Sequence, residues 1–394
     1  MTTQPAYSKG LEGVIADETS VSHVDGTAGK LWYRGYSIED IVAKKHYDET
    51  SYLVLFGHFP SAVELKEYRA TLAANYDLPA QVVKMIEAMP RETHPMEAIQ
   101  ALLAIIGTID PTHIDVERKD GPNGTKRSEV TNLDQHRAEL IALLAKIPTM
   151  VAYYHRHQAQ LPFIPPRKDL NLMPNFLYMF NGKASPARDV EIFEICEILQ
   201  MEHGFNASTF TARVVASTLA PIHTALSAAV GALFGKLHGG ADEAAFRMAR
   251  DEIGGPEKAE TYVKETLAHG GKIMGMGHRV YKTVDPRANV LKGLAAELTA
   301  SKGGDKERVL KTLFRVEEVM AEIMEGKGKE IYSNVEFYKG PVFNALDIPP
   351  EYYTCMFVIA RAFGWGANVL ELWHDHRLYR PKAMYMGQTG LKVE

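Results

Sequence analysis

Gly275-Met276-Gly277-His278-Arg279-Val280-Tyr281-Lys282-Thr283-Val284-Asp285-Pro286-Arg287 is the stretch on which the reading of this chain turns. It passes from a glycine-rich loop into a helix, because Asp285-Pro286 has the chemistry of an N-cap followed by a first-turn proline. Arg287 then falls in the opening helical turn, where the macrodipole disfavours a cation. An anion at that point would reverse the penalty, with backbone N–H groups and a guanidinium fork converging on one carboxylate. The plain alternative is an exposed arginine that tolerates about a few tenths of a kcal/mol of repulsion. The run Gly270 to His278 matches neither the dinucleotide fingerprint nor the phosphate-loop pattern, and no strand precedes it, which disfavours nicotinamide and nucleoside triphosphate chemistry. His278 ends a glycine loop that could equally be an ordinary turn.

Outward from this stretch the pattern is helical. Val309, Leu313, Val316, Met320 and Ile323 recur at helical spacing until Gly326 and Gly328 stop them. Ser185-Pro186 reads as another N-cap and proline pair, followed by Ile192, Ile195, Cys196 and Leu199 in a helix that Gly204 would close, with His203 in its final turn. Arg361 sits in the pattern Tyr352 to Leu372, and its neighbours three and four positions away are Phe357, Val358, Gly364 and Trp365. A cation on that apolar face needs an anion, either an internal Asp or Glu or a bound ligand, because an unpaired buried charge costs several kcal/mol. His238 occupies a break between helices expected over Thr224 to Leu237 and Asp242 to Ile253, with Gly239-Gly240 as hinge; a histidine before glycine is by default a helix C-cap. Strand signal is confined to the start, at Val14-Ile15 and Lys30 to Tyr33 around the turn Asp25-Gly26. Asp115 to Thr131 has no periodicity and reads as a solvated loop. The expected fold class is therefore mainly α, with a small N-terminal β-hairpin.

A chain of 394 residues, 46% hydrophobic and 24% charged, can bury a large core, split between two domains. The net charge of -5, from 44 basic and 49 acidic residues, gives no reason to expect nucleic acid or an anionic membrane as partner, so any anion site must be local. The N-terminus lacks the basic and apolar regions of an export signal, and apolar runs such as Ala225 to Gly235 are too short to span a bilayer. Cys196 and Cys355 lie in apolar helical patterns and read as packing residues of a reducing, cytoplasmic compartment. His155-Arg156-His157 and His374-Asp375-His376 lack metal-ligand spacing and read as polar surface at helix ends.

The order of these features carries a resemblance. His203-Gly204-Phe205-Asn206-Ala207-Ser208, Leu237-His238-Gly239-Gly240-Ala241, the stretch quoted first, Asn334-Val335-Glu336-Phe337-Tyr338, Arg361 and Arg380-Pro381-Lys382 together resemble the citrate synthase family, over about Gly10 to the C-terminal region. It is similar to the shorter bacterial and archaeal form. The resemblance implies a multi-helical, two-domain homodimer, with residues 1–238 and 348–394 as the large domain on the oxaloacetate side. Residues 239–347 would form a small, mobile domain on the CoA side that closes and excludes water before chemistry. It implies Claisen-type condensation of acetyl-CoA with oxaloacetate, then hydrolysis of citryl-CoA, a step of the tricarboxylic acid cycle. No permanently bound cofactor or metal is expected; the CoA thioester is a co-substrate.

The same resemblance implies roles. His203, Asn206, Arg287, Arg361 and Arg380 would hold oxaloacetate, Arg380 reaching across from the second subunit. His238 would hydrogen-bond the thioester carbonyl and His278 the keto oxygen, both as oxyanion stabilisers. A neutral imidazole of depressed pKa suits that task. Lys272, Gly275, Met276, Gly277, Lys282 and Asn334 would lie along CoA, Lys282 near its phosphates. One departure stands out: Glu336 occupies the place of the family's aspartate base, adding a methylene where a displacement of about 1 Å can cost roughly 100-fold. Asn368 stands where many relatives carry histidine. Three readings follow: a citrate synthase adapted to glutamate, a relative acting on propionyl-CoA (2-methylcitrate synthase) or citryl-CoA (a lyase), or an impaired paralogue with a binding or assembly role.

Overall fold

The computed structural model describes residues 7–109, 113–120, 126–277, 280–328 and 330–393. Its architecture is helical throughout: sixteen α-helices among the described residues, with one three-stranded and one two-stranded antiparallel sheet. At the centre lies Tyr353–His374, whose side chains are buried over nearly its whole length. A helix apolar on every face belongs inside a fold or a membrane. Although Pro350–His374 is long and apolar enough to cross a bilayer, 94% of its most apolar window is buried here. Around it are packed Ala207–Ala216, Leu133–Gln158, Ile222–Phe234, Tyr47–Phe56 and Ala187–Gln200.

Two glycines make that packing tight. A Cβ on Gly366 would come within 2.5 Å of Leu140, and one on Gly364 within 2.3 Å of the Met201 carbonyl and 2.4 Å of a Glu202 carboxylate oxygen. Gly364 thus lets the loop after Ala187–Gln200 lie directly on the core helix, one turn from Arg361. A second group packs beside this one: Glu336–Ala345 lies on Pro286–Lys302, Ala241–Arg247 and Gly304–Glu325, and Pro256–Ala268 on Gly304–Glu325.

The N-terminal hairpin pairs Ser22–Asp25 with Lys30–Tyr33, in register Ser22 to Tyr33 and Asp25 to Lys30, and Tyr36–Ser37 adds a third strand. Asp25 Oδ1 closes the turn by accepting from the backbone N–H groups of Thr27 and Ala28, at 2.9 and 2.8 Å. The tip lies against the stretch quoted first: Lys282 N–H donates to the Gly26 carbonyl at 2.8 Å, and a Cβ on Gly26 would fall 2.2 Å from the Val280 carbonyl. The hairpin is therefore a brace for the segment that leads into Arg287.

Several local expectations are corrected. Val14-Ile15 is not a strand, and Ile15 is exposed. The expected loop 115–131 contains a hairpin, Val116–Asp120 paired with Lys126–Val130. Its first strand is exposed on every residue, so no alternation marked it. Ala187–Gln200 is capped by Pro186 rather than Ser185 and ends at Gln200, which leaves His203 outside any helix. The helices flanking His238 are Ile222–Phe234 and Ala241–Arg247, the latter running into a π-turn at Met248–Ile253. His155 stacks on Phe180 at 3.8 Å between ring centroids and Arg156 is buried, so this group is packed rather than solvated. His376 ties the C-terminal segment down through hydrogen bonds with the Ser128 and Ser217 carbonyls. Cys196 and Cys355 are buried and free, as the sequence implied.

Gly364→Ala overpacks the contact between loop and core helix and should cost about 1–3 kcal/mol, read as a lowered midpoint of thermal unfolding. An unchanged midpoint would show that the loop yields freely.

Candidate active site

The loop beyond Ala187–Gln200 carries the first site residues. Glu202 is fully buried and acts as the loop's anchor, its carboxylate accepting from His203 N–H at 2.9 Å, Asn368 Nδ2 at 2.9 Å and Ser22 Oγ at 3.3 Å. Burial pushes its pKa up, against the pull of Arg361 and these donors. Asn368 therefore holds the loop to the core helix. With its backbone fixed, His203 meets the Tyr281 hydroxyl through Nε2 at 3.1 Å, joining this loop to the segment before Arg287. Asn206 caps Ala207–Ala216, accepting from Thr209 N–H at 3.0 Å, with Ser208 Oγ 2.9 Å from the same oxygen. Its buried Nδ2 has no partner among the described residues.

Arg361 is 1% exposed. Its Nε donates to the Gln200 carbonyl at 2.6 Å and its guanidinium lies 4.7 Å from the Phe357 ring centroid. Among the described residues no carboxylate comes within ion-pair distance of it. Burial pulls its pKa down to about 10, partly opposed by Glu202. Its internal counter-charge is thus Glu202, held at a distance by the loop. Arg287 differs: it lies in the first turn of Pro286–Lys302, and the anion expected there is its own cap. Asp285 accepts from Arg287 N–H and Nε, both at 3.0 Å, and from Nη2 at 2.7 Å, with both side chains at most 3% exposed. Burial alone would lower the Arg287 pKa, but the Asp285 pair overrides it and raises it. Both arginines lie where their fields act on Glu336 and on one another.

His238 is not a C-cap. It follows a tight turn in which its N–H donates to Gly235 O and Gly239 N–H to Leu233 O, both at 2.8 Å. A Cβ on Gly239 would lie 2.6 Å from that Leu233 oxygen, so glycine is required there. The ring points at Ser208: Nε2 lies 3.3 Å from Ser208 N and 2.8 Å from Ser208 Oγ. A backbone N–H can only donate, so Nε2 accepts and the proton of a neutral ring sits on Nδ1. Trp365 Nε1–H donates to the same Ser208 Oγ at 3.1 Å, which fixes the hydroxyl. Burial lowers the His238 pKa to about 4, with Arg361 adding to the effect and Glu336 opposing it. His238 is accordingly neutral near pH 7, with Nδ1–H uncommitted to Ser208.

Glu336 opens the helix Glu336–Ala345, with its side chain 16% exposed. The residues before it are fastened to the glycine loop: Met276 bridges Ser333, Gly277 N–H donates to Tyr332 O at 2.8 Å, Asn334 N–H to Gly275 O at 3.0 Å, and Asn334 Nδ2 to Gly277 O at 3.1 Å. Gly275 and Gly277 have φ of +79° and +81°, and a Cβ on Gly275 would also strike Phe337 at 2.6 Å. The loop and the Glu336 helix are therefore fastened to one another. Lys272 and Lys282 are exposed. Lys282 lines a cavity of about 190 Å³ with Gly277, Tyr281, Thr283, Asp285 and Ser333. Arg380 lies exposed on the C-terminal segment, away from any described ion-pair partner. His278 lies outside the described residues.

Contacts link His203 and Arg287 through Tyr281, and Asn206 and His238 through Ser208, and His238, Arg287, Arg361 and Glu336 lie within reach of one another's fields; no described interaction joins Arg380 to this group. Sequence reasoning gave no role to Glu202, Asp242, Lys339, Ser208, Gln200 or Tyr281. Lys339 carried the signal already used for Arg361, a cation in an apolar helical run, here Phe337 to Val342. Chemically, the cleft sets a neutral imidazole N–H donor and a carboxylate beside two buried guanidinium groups, the equipment for proton abstraction next to a carbonyl in a substrate that carries anionic groups.

That site and the multi-helical fold define an enzyme of carbon–carbon bond formation on carbonyl substrates. The sequence matches the family described as citrate synthase, C-terminal domain, over residues 10–382. It is 38% identical to a citrate synthase of Synechocystis, over 99% of this chain and 94% of that protein. It is 39% identical to one of Deinococcus radiodurans, over 96% of each. The solved citrate synthase of Thermoplasma acidophilum, a ternary complex with carboxymethyl coenzyme A and oxaloacetate, superposes with a TM-score of 0.89 at 31% identity, covering 99% of this chain and 98% of that one. The chain belongs to the citrate synthase family.

In ¹⁵N-histidine-labelled protein, the His238 ring should show the neutral, Nδ1-protonated tautomer from pH 8 down to pH 5, and titrate only at about 4. A midpoint at the ordinary histidine value of about 6.5 would overturn this assignment. Because the folded-state pKa is depressed, the unfolded chain takes up the proton first as pH falls, so this group removes stability between about 6.5 and about 4.

Proposed function

We propose that this chain is a citrate synthase: it condenses acetyl-CoA with oxaloacetate and hydrolyses the citryl-CoA formed to citrate and CoA, as in the tricarboxylic acid cycle. The observation that carries this reading is the His238 site. Its Nδ1–H is free of Ser208, and the ring lies within the fields of Glu336 and Arg361, the arrangement an enolate-forming step requires. Glu336 takes a methyl proton from the thioester. Electron density moves to the thioester oxygen, where His238 Nδ1–H donates a hydrogen bond, and the resulting nucleophile forms the new bond to the keto carbon of oxaloacetate. His278 supplies the donor to the keto oxygen, and water then cleaves the thioester. His203, Asn206, Arg287 and Arg361 hold the oxaloacetate carboxylates; Lys272, Gly275, Met276, Gly277, Lys282 and Asn334 line the CoA path.

Residues 239–347 form the moving unit in this proposal. Support comes from the glycine pair at its start and from the distribution of the site, with His203, Asn206 and Arg361 on one side and Arg287 and Glu336 on the other. Binding the dianion is the natural trigger, since it gives Arg361 the close anion that it lacks here. We place the enzyme in the cytoplasm, in keeping with its two buried free thiols. It works as a homodimer whose C-terminal segments exchange Arg380; that segment presents Met384, Tyr385 and Met386 to solvent in the single chain.

A free-thiol assay with oxaloacetate and acetyl-CoA should show CoA release that Glu336→Gln reduces by roughly 100-fold or more. Propionyl-CoA should react more slowly, within the roughly 10–200-fold that a pocket can extract from one methylene. A propionyl-CoA preference would turn the assignment to 2-methylcitrate synthase, and no release from any short acyl-CoA would leave the binding role. The dimer has its own test. Glu336→Gln and Arg380→Ala chains, each inactive alone, should regain roughly a quarter of wild-type activity when co-refolded, because each mixed dimer then has one intact site. No recovery would place Arg380 in its own subunit's site.

A further inference from the structure

The Lys339 ammonium is fully buried beside the base, with a side chain 0% exposed. It lies one helical turn beyond Glu336 on the same face of Glu336–Ala345, so the two are neighbours by helix geometry. Its surroundings are specific. Nζ donates to Gln200 Oε1 at 2.9 Å, lies 3.4 Å from Asp242 Oδ2 and 3.9 Å from Glu336 Oε1, and stands 4.2 Å from the centroid of the Phe357 ring. Gln200 can be oriented in only one way: an ammonium only donates, so Oε1 faces Lys339 and Nε2 donates to Glu197 Oε1 at 3.0 Å. The same residue's carbonyl accepts from Arg361. Gln200 thus ties the Lys339 ammonium to the arginine expected to read oxaloacetate.

We propose that Lys339 is the positioning residue for the base: it draws Glu336 Oε1 back toward the helix so that the longer glutamate side chain presents Oε2 to the methyl group, and Glu336 and Lys339 act as one unit. This rests on the citrate synthase reading of the site. The extra methylene would carry a free carboxylate about 1 Å too far, a displacement that matters at a reacting centre. A cation fixed behind the carboxylate corrects it. Other charged groups act on Glu336 from each neighbouring element: His238 and Asp242 from the turn and helix after residue 234, Arg287 from Pro286–Lys302 and Arg361 from the core helix. Glu197 lies beyond Gln200, and burial pushes both Glu197 and Asp242 toward their neutral forms. Lys339 is the cation on Glu336's own helix, and its removal leaves Asp242 as an unopposed neighbour.

The test uses Lys339→Met, which keeps the length and removes the charge, with Lys339→Met/Asp242→Asn as a partner variant that also removes the Asp242 carboxylate. With either folded variant, kcat should fall by roughly 100-fold while KM for oxaloacetate changes little, and the acid limb of the kcat profile should move to higher pH. Glu336→Asp should be costly in the wild-type chain and nearly neutral in the Lys339→Met chain, as expected of residues that act as a unit. Independently of turnover, the ¹³C carboxyl signal of Glu336, assigned through Glu336→Gln, should titrate at higher pH in the Lys339→Met protein. An unmoved titration, or equal effects of Glu336→Asp in both backgrounds, overturns the proposal and makes Lys339 a packing residue. A wild-type chain that releases no CoA overturns the citrate synthase reading instead, and the carboxyl titration still decides the role of Lys339.

Discussion

Everything at this site depends on holding a guanidinium group inside the core without a carboxylate in contact. Arg361 sits on the most buried helix of the protein, supported by one carbonyl, one aromatic face and the field of Glu202. An arrangement of that kind is expensive in isolation and persists because the surrounding packing determines it. Gly364 admits the Met201–Glu202 turn, Asn368 and Ser22 hold the Glu202 carboxylate, and the turn then delivers His203 into the cleft. The charge is therefore pre-positioned for a ligand anion and is not spent on an internal ion pair.

The second arginine shows the opposite solution. Arg287 is clamped by Asp285 through three hydrogen bonds, so its guanidinium is neutralised and oriented before any ligand arrives. One cation is thus held under-compensated and the other fully paired, in a single cleft. A dianionic substrate would gain most from Arg361 and meet a rigid partner in Arg287. His238 responds to the same field: burial and Arg361 together keep it neutral, so that Nδ1–H is the single ring proton it has to donate.

Much of this was legible in the sequence, for physical reasons. The Asp285-Pro286 cap is a local code, and the structure has the cap and helix where that code places them. The core helix was legible because a predominantly apolar run of that length has few other places to go. The position of His203 was misjudged because a helix end depends on the fit of the following loop against Gly364 and Tyr33, which no periodicity reports. The pairing of Val116–Asp120 with Lys126–Val130 escaped because the first strand is exposed on every residue and carries no alternation. Glu202 and Ser208 escaped because their importance lies in contacts with residues more than 150 positions away along the chain, as with Asn368 and Trp365.

Lys339 illustrates a different limit. Its signal, a cation among Phe337, Tyr338, Pro341 and Val342, was as strong as that of Arg361, yet the sequence could not say which anions it meets. The structure supplies them: Asp242 and Glu336, with Gln200 as the bridge toward Arg361. Exchanging this buried lysine for a neutral side chain deprives Asp242 and Glu336 of the cation they share. A glutamate in the base position and a lysine one turn later are therefore best understood together. The first lengthens the reach of the carboxylate, and the second sets a fixed charge behind it that restores where the carboxylate comes to rest.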